Sequence, residues 1–216
     1  WVDSRVFPTP SLITELNSLR VGEALEKNGR IFAFRNNTFD TNKLNIIESN
    51  STFNSINKLT DIFSLNGEQI KNDFSQMFPS KRLNWKGTLE KLEQIKASNV
   101  KIGKHPVWIE EGAKLQHCIL NTTDGPIYIG KDAEIMEGSI VRGPFAMLNI
   151  SVLKMGARIY GATTLGPYCK VGGEVNNVVF FGYSSKAHDG FLGNSVIGEW
   201  CNLGADTNNS NLKNNY

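Results

Sequence analysis

No stretch of the 216 residues is long and apolar enough to cross a membrane as a helix, and no signal peptide opens the chain. An excess of one charge is also missing. The 23 Lys and Arg are interleaved with 21 Asp and Glu, giving a net charge of +2 with no basic stripe and no run of like charges. Nucleic acid and an anionic membrane surface are therefore not expected as partners. Cysteine is sparse: Cys118, Cys169 and Cys201 lie far apart, with no CxxC and an odd count. That usage suits a reducing compartment, the cytoplasm, better than a disulfide framework. Only three histidines occur, His105, His117 and His188. A zinc hydratase on a β-coil would need all three to converge, and the spacing between them opposes it, so no metal site is expected. A terminal cap is lacking too. The repeat described below is still running at Tyr216, and Trp1 opens inside what reads as an ordered segment, so the sequence reads as a piece of a longer protein.

An apolar content of 40% supports a sizeable core in one or two domains. The first hundred residues are mixed. Thr9-Pro10 is a good helix start, followed by Leu12, Ile13, Leu16 and Leu19 on one helical face. Asn28-Gly29 separates two potentially extended stretches, a short-range hairpin signal. A second helix is expected from Asn66 to Phe78, with Ile70, Phe74 and Phe78 every fourth residue. The polar, Lys-rich stretch after Pro79 reads as connector with some helix. The expected division is a small α/β segment over 1–83, a connector over 84–101 and a β domain over 102–216.

The second half changes character. Ile129, Ile135, Val141, Met147, Leu153, Ile159, Leu165 and Val171 recur every six residues without a miss. Four places after most of them stands a small residue: Ala133, Ser139, Ser151, Ala157, Thr163 or Cys169. A helix repeats near 3.6 and a plain strand near 2, so a step of six has no helical explanation, and the alternative of a sandwich with evenly spaced strands does not explain the fixed step. It fits a chain that turns a corner every six residues, with one aliphatic residue inside and a small one where the corner is tight. Gly130, Gly138, Gly143, Gly156, Gly161 and Gly166 are expected to supply backbone freedom at those corners. The frame slips near Gly172–Asn177 and resumes as Val179, Phe191, Ile197 and Leu203, with Ser185 as a miss. An earlier stretch, Ile109, Leu115 and Ile127, is also offset. Slips in a solenoid are expected to hold a bulge or loop, and loops on a rigid scaffold carry function.

The later slip leads into Ser184-Ser185-Lys186-Ala187-His188-Asp189-Gly190-Phe191-Leu192-Gly193, then Val196-Ile197-Gly198 and Asn202-Leu203-Gly204-Ala205-Asp206-Thr207. His-x-x-aromatic-Leu-Gly followed by Ile-Gly and Asn-hydrophobic-Gly-Ala-x-Thr resembles the acetyltransferase half of the bifunctional sugar-1-phosphate nucleotidyltransferase/acetyltransferases. The group is typified by N-acetylglucosamine-1-phosphate uridyltransferase/glucosamine-1-phosphate acetyltransferase. Gly143-Pro144-Phe145-Ala146 strengthens the likeness, which is specific over 127–216 and vaguer over 1–83. The chain as a whole resembles a divergent bacterial branch of this group. The resemblance implies a left-handed parallel β-helix of hexapeptide repeats preceded by a small α/β segment, and a homotrimer with sites between subunits. It implies transfer of an acetyl group from acetyl-CoA to an amino-sugar phosphate. It also implies nucleotide-sugar synthesis by the longer protein, with Mg2+ possible for that part. No Gly-rich phosphate loop is found in 1–83, so that chemistry would need residues upstream of Trp1.

Acyl transfer to an amine needs a base, and an imidazole titrating near neutrality suits the task. By resemblance His188 is that base, and Asn202 and Asn211 hold the sugar and the acetyl group. Gly204 and Ala205 belong to the segment whose backbone amides face the thioester oxygen. Phe191 stands where the family has an aromatic residue near substrate, whereas its place in the six-residue frame makes it a core residue. The family's phosphate-binding Arg and Lys are not matched: Met147, Asn149 and Asn176-Asn177-Val178 occupy those regions. Arg142, Lys154, Arg158 or Lys186 are the cations available to substitute. Asp206 replaces a usual Gly. A non-catalytic β-helix serving as an oligomerisation or binding scaffold is the alternative.

Overall fold

The computed structural model describes residues 1–78, 85–86 and 89–209, and the chain falls into two compact units, Trp1–Leu59 and Thr60–Tyr216. In the first unit the helix Pro10–Ser18 begins as expected, with the Thr9 hydroxyl accepting from the Leu12 amide. Its buried face is Leu12 and Leu19, with Leu16 packed alongside; Ile13, expected on that face, is 42% exposed. The nine-residue helix makes barely more than two turns, so its apolar stripe is narrower than the sequence suggests. Strands Glu23–Lys27 and Arg30–Arg35 form the expected hairpin, and both turn residues, Asn28 and Gly29, take positive φ as a two-residue turn demands. Asn45–Glu48 joins Glu23–Lys27 in parallel to complete the sheet.

The second unit is mostly parallel β. Short strands fall into three files, and the chain visits one strand of each file per turn. Glu134 pairs with Val152 and Val152 with Lys170; Ile140 pairs with Arg158; Phe145 pairs with Ile127 and Thr163. Each of these steps is 18 residues, three sides of six. The eight aliphatic residues of the sequence frame all point inward and are at most 2% exposed. Each contributes about 1.5–3 kcal/mol by leaving water. The small residues four places on are buried as well, and their hydroxyls satisfy corner carbonyls: Ser139 donates to Lys154 O at 3.0 Å and Thr163 to Tyr160 O at 3.2 Å.

The corners depart from expectation in one respect. Of the six glycines assigned to them, only Gly138 and Gly156 take positive φ. The others give room rather than freedom: a Cβ at Gly166 would lie 1.7 Å from Phe181 O, and one at Gly143 would lie 2.3 Å from Gly125 O. The slip near Gly172–Asn177 holds no loop. The turn there is shortened, so that Lys170 pairs with Ser185, and the strand Glu174–Phe180 runs through a corner and pairs on both sides of it. Because alternate side chains point in opposite directions, the shortening moves the inward positions by one residue. They become Phe180, Lys186 and Leu192 instead of Val179, Ser185 and Phe191. The helix Asn66–Met77 lies on the file containing Phe145–Met147 and Thr163–Leu165, burying Ile70 and Phe74. Thr164 donates to Asn66 Oδ1 at 2.8 Å, and Phe78 stacks on Trp108 with centroids 3.8 Å apart.

Candidate functional site

His188, Asp189 and Gly190 form the corner between strands Ser185–Lys186 and Phe191–Ile197. All three carbonyls of this corner are held, each from a different direction. His188 O accepts from Lys186 Nζ at 2.9 Å, Asp189 O from the Asp206 amide at 3.1 Å, and Gly190 O from the Glu174 amide at 3.2 Å. Gly190 adopts φ +122, and a Cβ there would fall 2.4 Å from Thr207 O, so the corner rests directly on the 204–207 turn of the following coil. The backbone is fixed while the imidazole is exposed and makes no hydrogen bond among the described residues.

The following turn is exposed. Thr207 closes it by donating both its amide and its hydroxyl to Gly204 O, the hydroxyl at 2.9 Å. The amides of Gly204 and Ala205 donate to nothing among the described residues. Gly204 is not sterically obligatory: nothing comes nearer than 4.0 Å to a Cβ built on it. Asp206 takes φ +58, the left-handed conformation that a glycine adopts freely.

The other expected residues divide. Asn202 is exposed and bridges to Ser185, one coil away from the His188 corner. Asn211 lies outside the described residues. Phe191 is not a core residue: its neighbour Leu192 points inward, and Phe191 lies on the outside in register with Glu174, which in turn pairs with Arg158. Arg158 Nε stands 3.6 Å from Glu174 Oε2 on this outer file, and Arg142 and Arg158 are exposed. Lys186, offered as a cation for the phosphate, is buried. It is 1% exposed and its ammonium donates to the carbonyls of Gly172 and His188. Burial lowers its pKa, with Asp189 opposing that shift and Arg158 adding to it.

Two features escaped the sequence. Asn208 and Asn209 act as strand edges: the Phe191 amide donates to Asn208 Oδ1 at 2.6 Å, and the Gly193 amide donates to Asn209 Oδ1 at 2.8 Å. In an Asn-rich chain nothing distinguishes them. At another corner Tyr168, Tyr183 and Trp200 occupy equivalent places on successive coils and stack on one another, exposed to solvent. Their steps of 15 and 17 residues hid the alignment. Among the described residues no group of three or more His, Cys, Asp or Glu is placed to hold a metal ion. No described helix is long and apolar enough to cross a membrane.

Residues 1–81 match the family model described as sugar nucleotidyl transferase. The match covers well under half of the chain and takes in the whole of the first unit together with the start of the second, including the helix Asn66–Met77. Comparison with curated proteins gives no significant match. The family evidence thus bears on nucleotidyl transfer, and the β-coil stands on its own geometry.

Proposed function

We propose that the chain is part of a cytoplasmic bifunctional enzyme of nucleotide-sugar synthesis. Its 102–216 region is a left-handed hexapeptide β-helix that transfers acetyl from acetyl-CoA to the amine of a sugar phosphate. The nucleotidyltransferase portion is supported by the match over 1–81. The observation that carries the acyltransferase portion is the packing of the His188 corner against the turn whose Gly204 and Ala205 amides have no acceptor among the described residues. One structural unit thereby offers a proton acceptor beside two donors for a developing oxyanion.

In this reading the amine lone pair attacks the thioester carbonyl carbon and His188 takes the amine proton. The carbonyl oxygen gains charge beside the Gly204 and Ala205 amides. The carbon–sulfur bond then breaks and the thiolate leaves, taking up the proton from the imidazolium. Phe191 on the outer file borders the sugar, Asn202 and Asn211 contact the sugar and acetyl group, and Arg158 and Arg142 are the accessible cations for the phosphate. Subunits of a homotrimer complete the site.

The test is mass-spectrometric detection of N-acetylated product when the intact protein meets acetyl-CoA and a panel of amino-sugar phosphates. Product from at least one acceptor is expected, and none from any acceptor would overturn the reading. A second reading, a non-catalytic scaffold, is favoured by the exposed Tyr168–Tyr183–Trp200 stack, a feature the chemistry above does not use. It requires His188→Ala to leave every measurable property unchanged.

A further inference from the structure

The inward column of one file of the coil runs Leu115, Ile135, Leu153, Val171 and then Lys186. Four aliphatic side chains are followed by an ammonium, in the one coil that carries His188. A buried cation is far costlier than another aliphatic residue unless hydrogen bonds replace its water. Here the replacement is two backbone carbonyls, Gly172 O at 3.0 Å and His188 O at 2.9 Å. Both belong to the same corner edge on adjacent coils. The contact between those coils is already tight: a Cβ at Gly172 would fall 2.3 Å from Ala187 O, and one at Gly173 would fall 3.0 Å from His188 O.

We propose that Lys186 is a positioning residue: from inside the coil its ammonium clamps the His188 carbonyl to the preceding coil and so fixes where the exposed imidazole stands. This rests on the acetyl-transfer reading for its catalytic consequence, but the clamp itself does not. The side chain of His188 has no partner among the described residues, so its placement depends on its backbone. Two of the three carbonyls that hold that backbone are secured by amides of neighbouring coils, and among the described residues Lys186 alone secures the third. A Lys186 side chain of equal length without donors would leave two carbonyls unpaired in the interior, and the corner would relax towards water. Lys186 is thereby removed from direct contact with a sugar phosphate, because its three-donor head is turned inward.

The experiment compares wild type, Lys186→Met and Lys186→Gln in the intact protein, by acetyl-transfer kinetics and by NMR of labelled histidine. With three histidines in this chain, the His188 signal is assigned by its loss in His188→Ala. In Lys186→Met, kcat is expected to fall about 10- to 100-fold, as for a displaced reacting group, with KM for acetyl-CoA within about twofold. The His188 imidazole resonance shifts or broadens while His105 and His117 stay in place. Lys186→Gln, which keeps a neutral donor, gives an intermediate result, and it decides the matter should Lys186→Met fail to fold. An unchanged His188 resonance in a folded variant overturns the proposal, and so do equal changes at all three histidines. If wild type acetylates nothing, the acetyl-transfer reading fails, while the NMR comparison still tests the clamp.

Discussion

Tyr183 and Trp200 lie on consecutive coils with ring centroids 4.6 Å apart and planes within 8° of parallel, and both residues take positive φ. Tyr168 extends the stack from the coil before, at 5.0 Å. Bulky side chains pay for the left-handed conformation by roughly 1–2 kcal/mol per residue, and the opposite corner avoids that cost with Gly138, Gly156, Gly173 and Gly190. Stacking returns part of it. Tyr183→Ala, which loses both ring contacts and keeps the strain, is expected to destabilise the protein by about 1 kcal/mol in urea denaturation. A variant as stable as wild type would show that the stack contributes nothing.

Ile150 occupies the same corner at φ +61, one coil before Tyr168, and is exposed. Ile150→Asn relieves a β-branched residue in a conformation that asparagine tolerates, and should stabilise by about 0.5–1 kcal/mol. A fall in thermal midpoint would mean that Ile150 is packed against something in solution.

The glycines separate into two kinds that one pair of substitutions distinguishes. Gly166→Ala drives a Cβ into Phe181 O and should cost more than about 2 kcal/mol or prevent folding. Gly204→Ala meets nothing within 4.0 Å and should leave stability within about 0.5 kcal/mol of wild type while lowering acetyl transfer. Strong destabilisation by Gly204→Ala would return that residue to a purely structural role.

Much of this is legible in the sequence. A period of six excludes a helix, and a chain that turns a corner every six residues accounts for the fixed step, so the eight residues from Ile129 to Val171 are the interior. Reading failed where coil length changed. The 15-residue step from Lys170 to Ser185 flips the alternation, so Phe191, expected in the core, lies outside, and Lys186, a cation offered for the phosphate, points inward. Nothing in a sequence announces a lysine pointing inward, since its stabilising partners are carbonyls, which every residue possesses. The same silence hides Asn208 and Asn209. The His188 motif was visible, and its packing against the 204–207 turn follows from stacking consecutive coils.

Thiol reactivity reports the interior of the coil. Burial raises the pKa of Cys118 and of Cys169, both fully enclosed, whereas Cys201 is partly open. In native protein an aromatic disulfide reagent should titrate Cys201 first, and the two buried thiols only on denaturation. Fast reaction of all three would contradict the closed core.

Glu15 gives the N-terminal unit a pH dependence. Burial pushes its pKa up, but hydrogen bonds from the Ser49 hydroxyl and the Asn50 amide outweigh this, leaving it lowered from 4.5. A carboxyl lowered on folding contributes stability that is complete above its unfolded value and is lost as pH falls through the native one. Wild type should therefore lose stability below about pH 4.5, and Glu15→Gln should lose less over the same interval. Parallel pH curves would show that Glu15 is not the group responsible.

The most direct measurement is the single-turnover rate of acetyl transfer by His188→Ala beside wild type, in intact protein at saturating acetyl-CoA and with the best acceptor. Loss of a general base predicts a rate about 10²- to 10⁴-fold slower, with the fold retained. Equal rates in the two proteins would contradict the assignment of this corner as the site of chemistry.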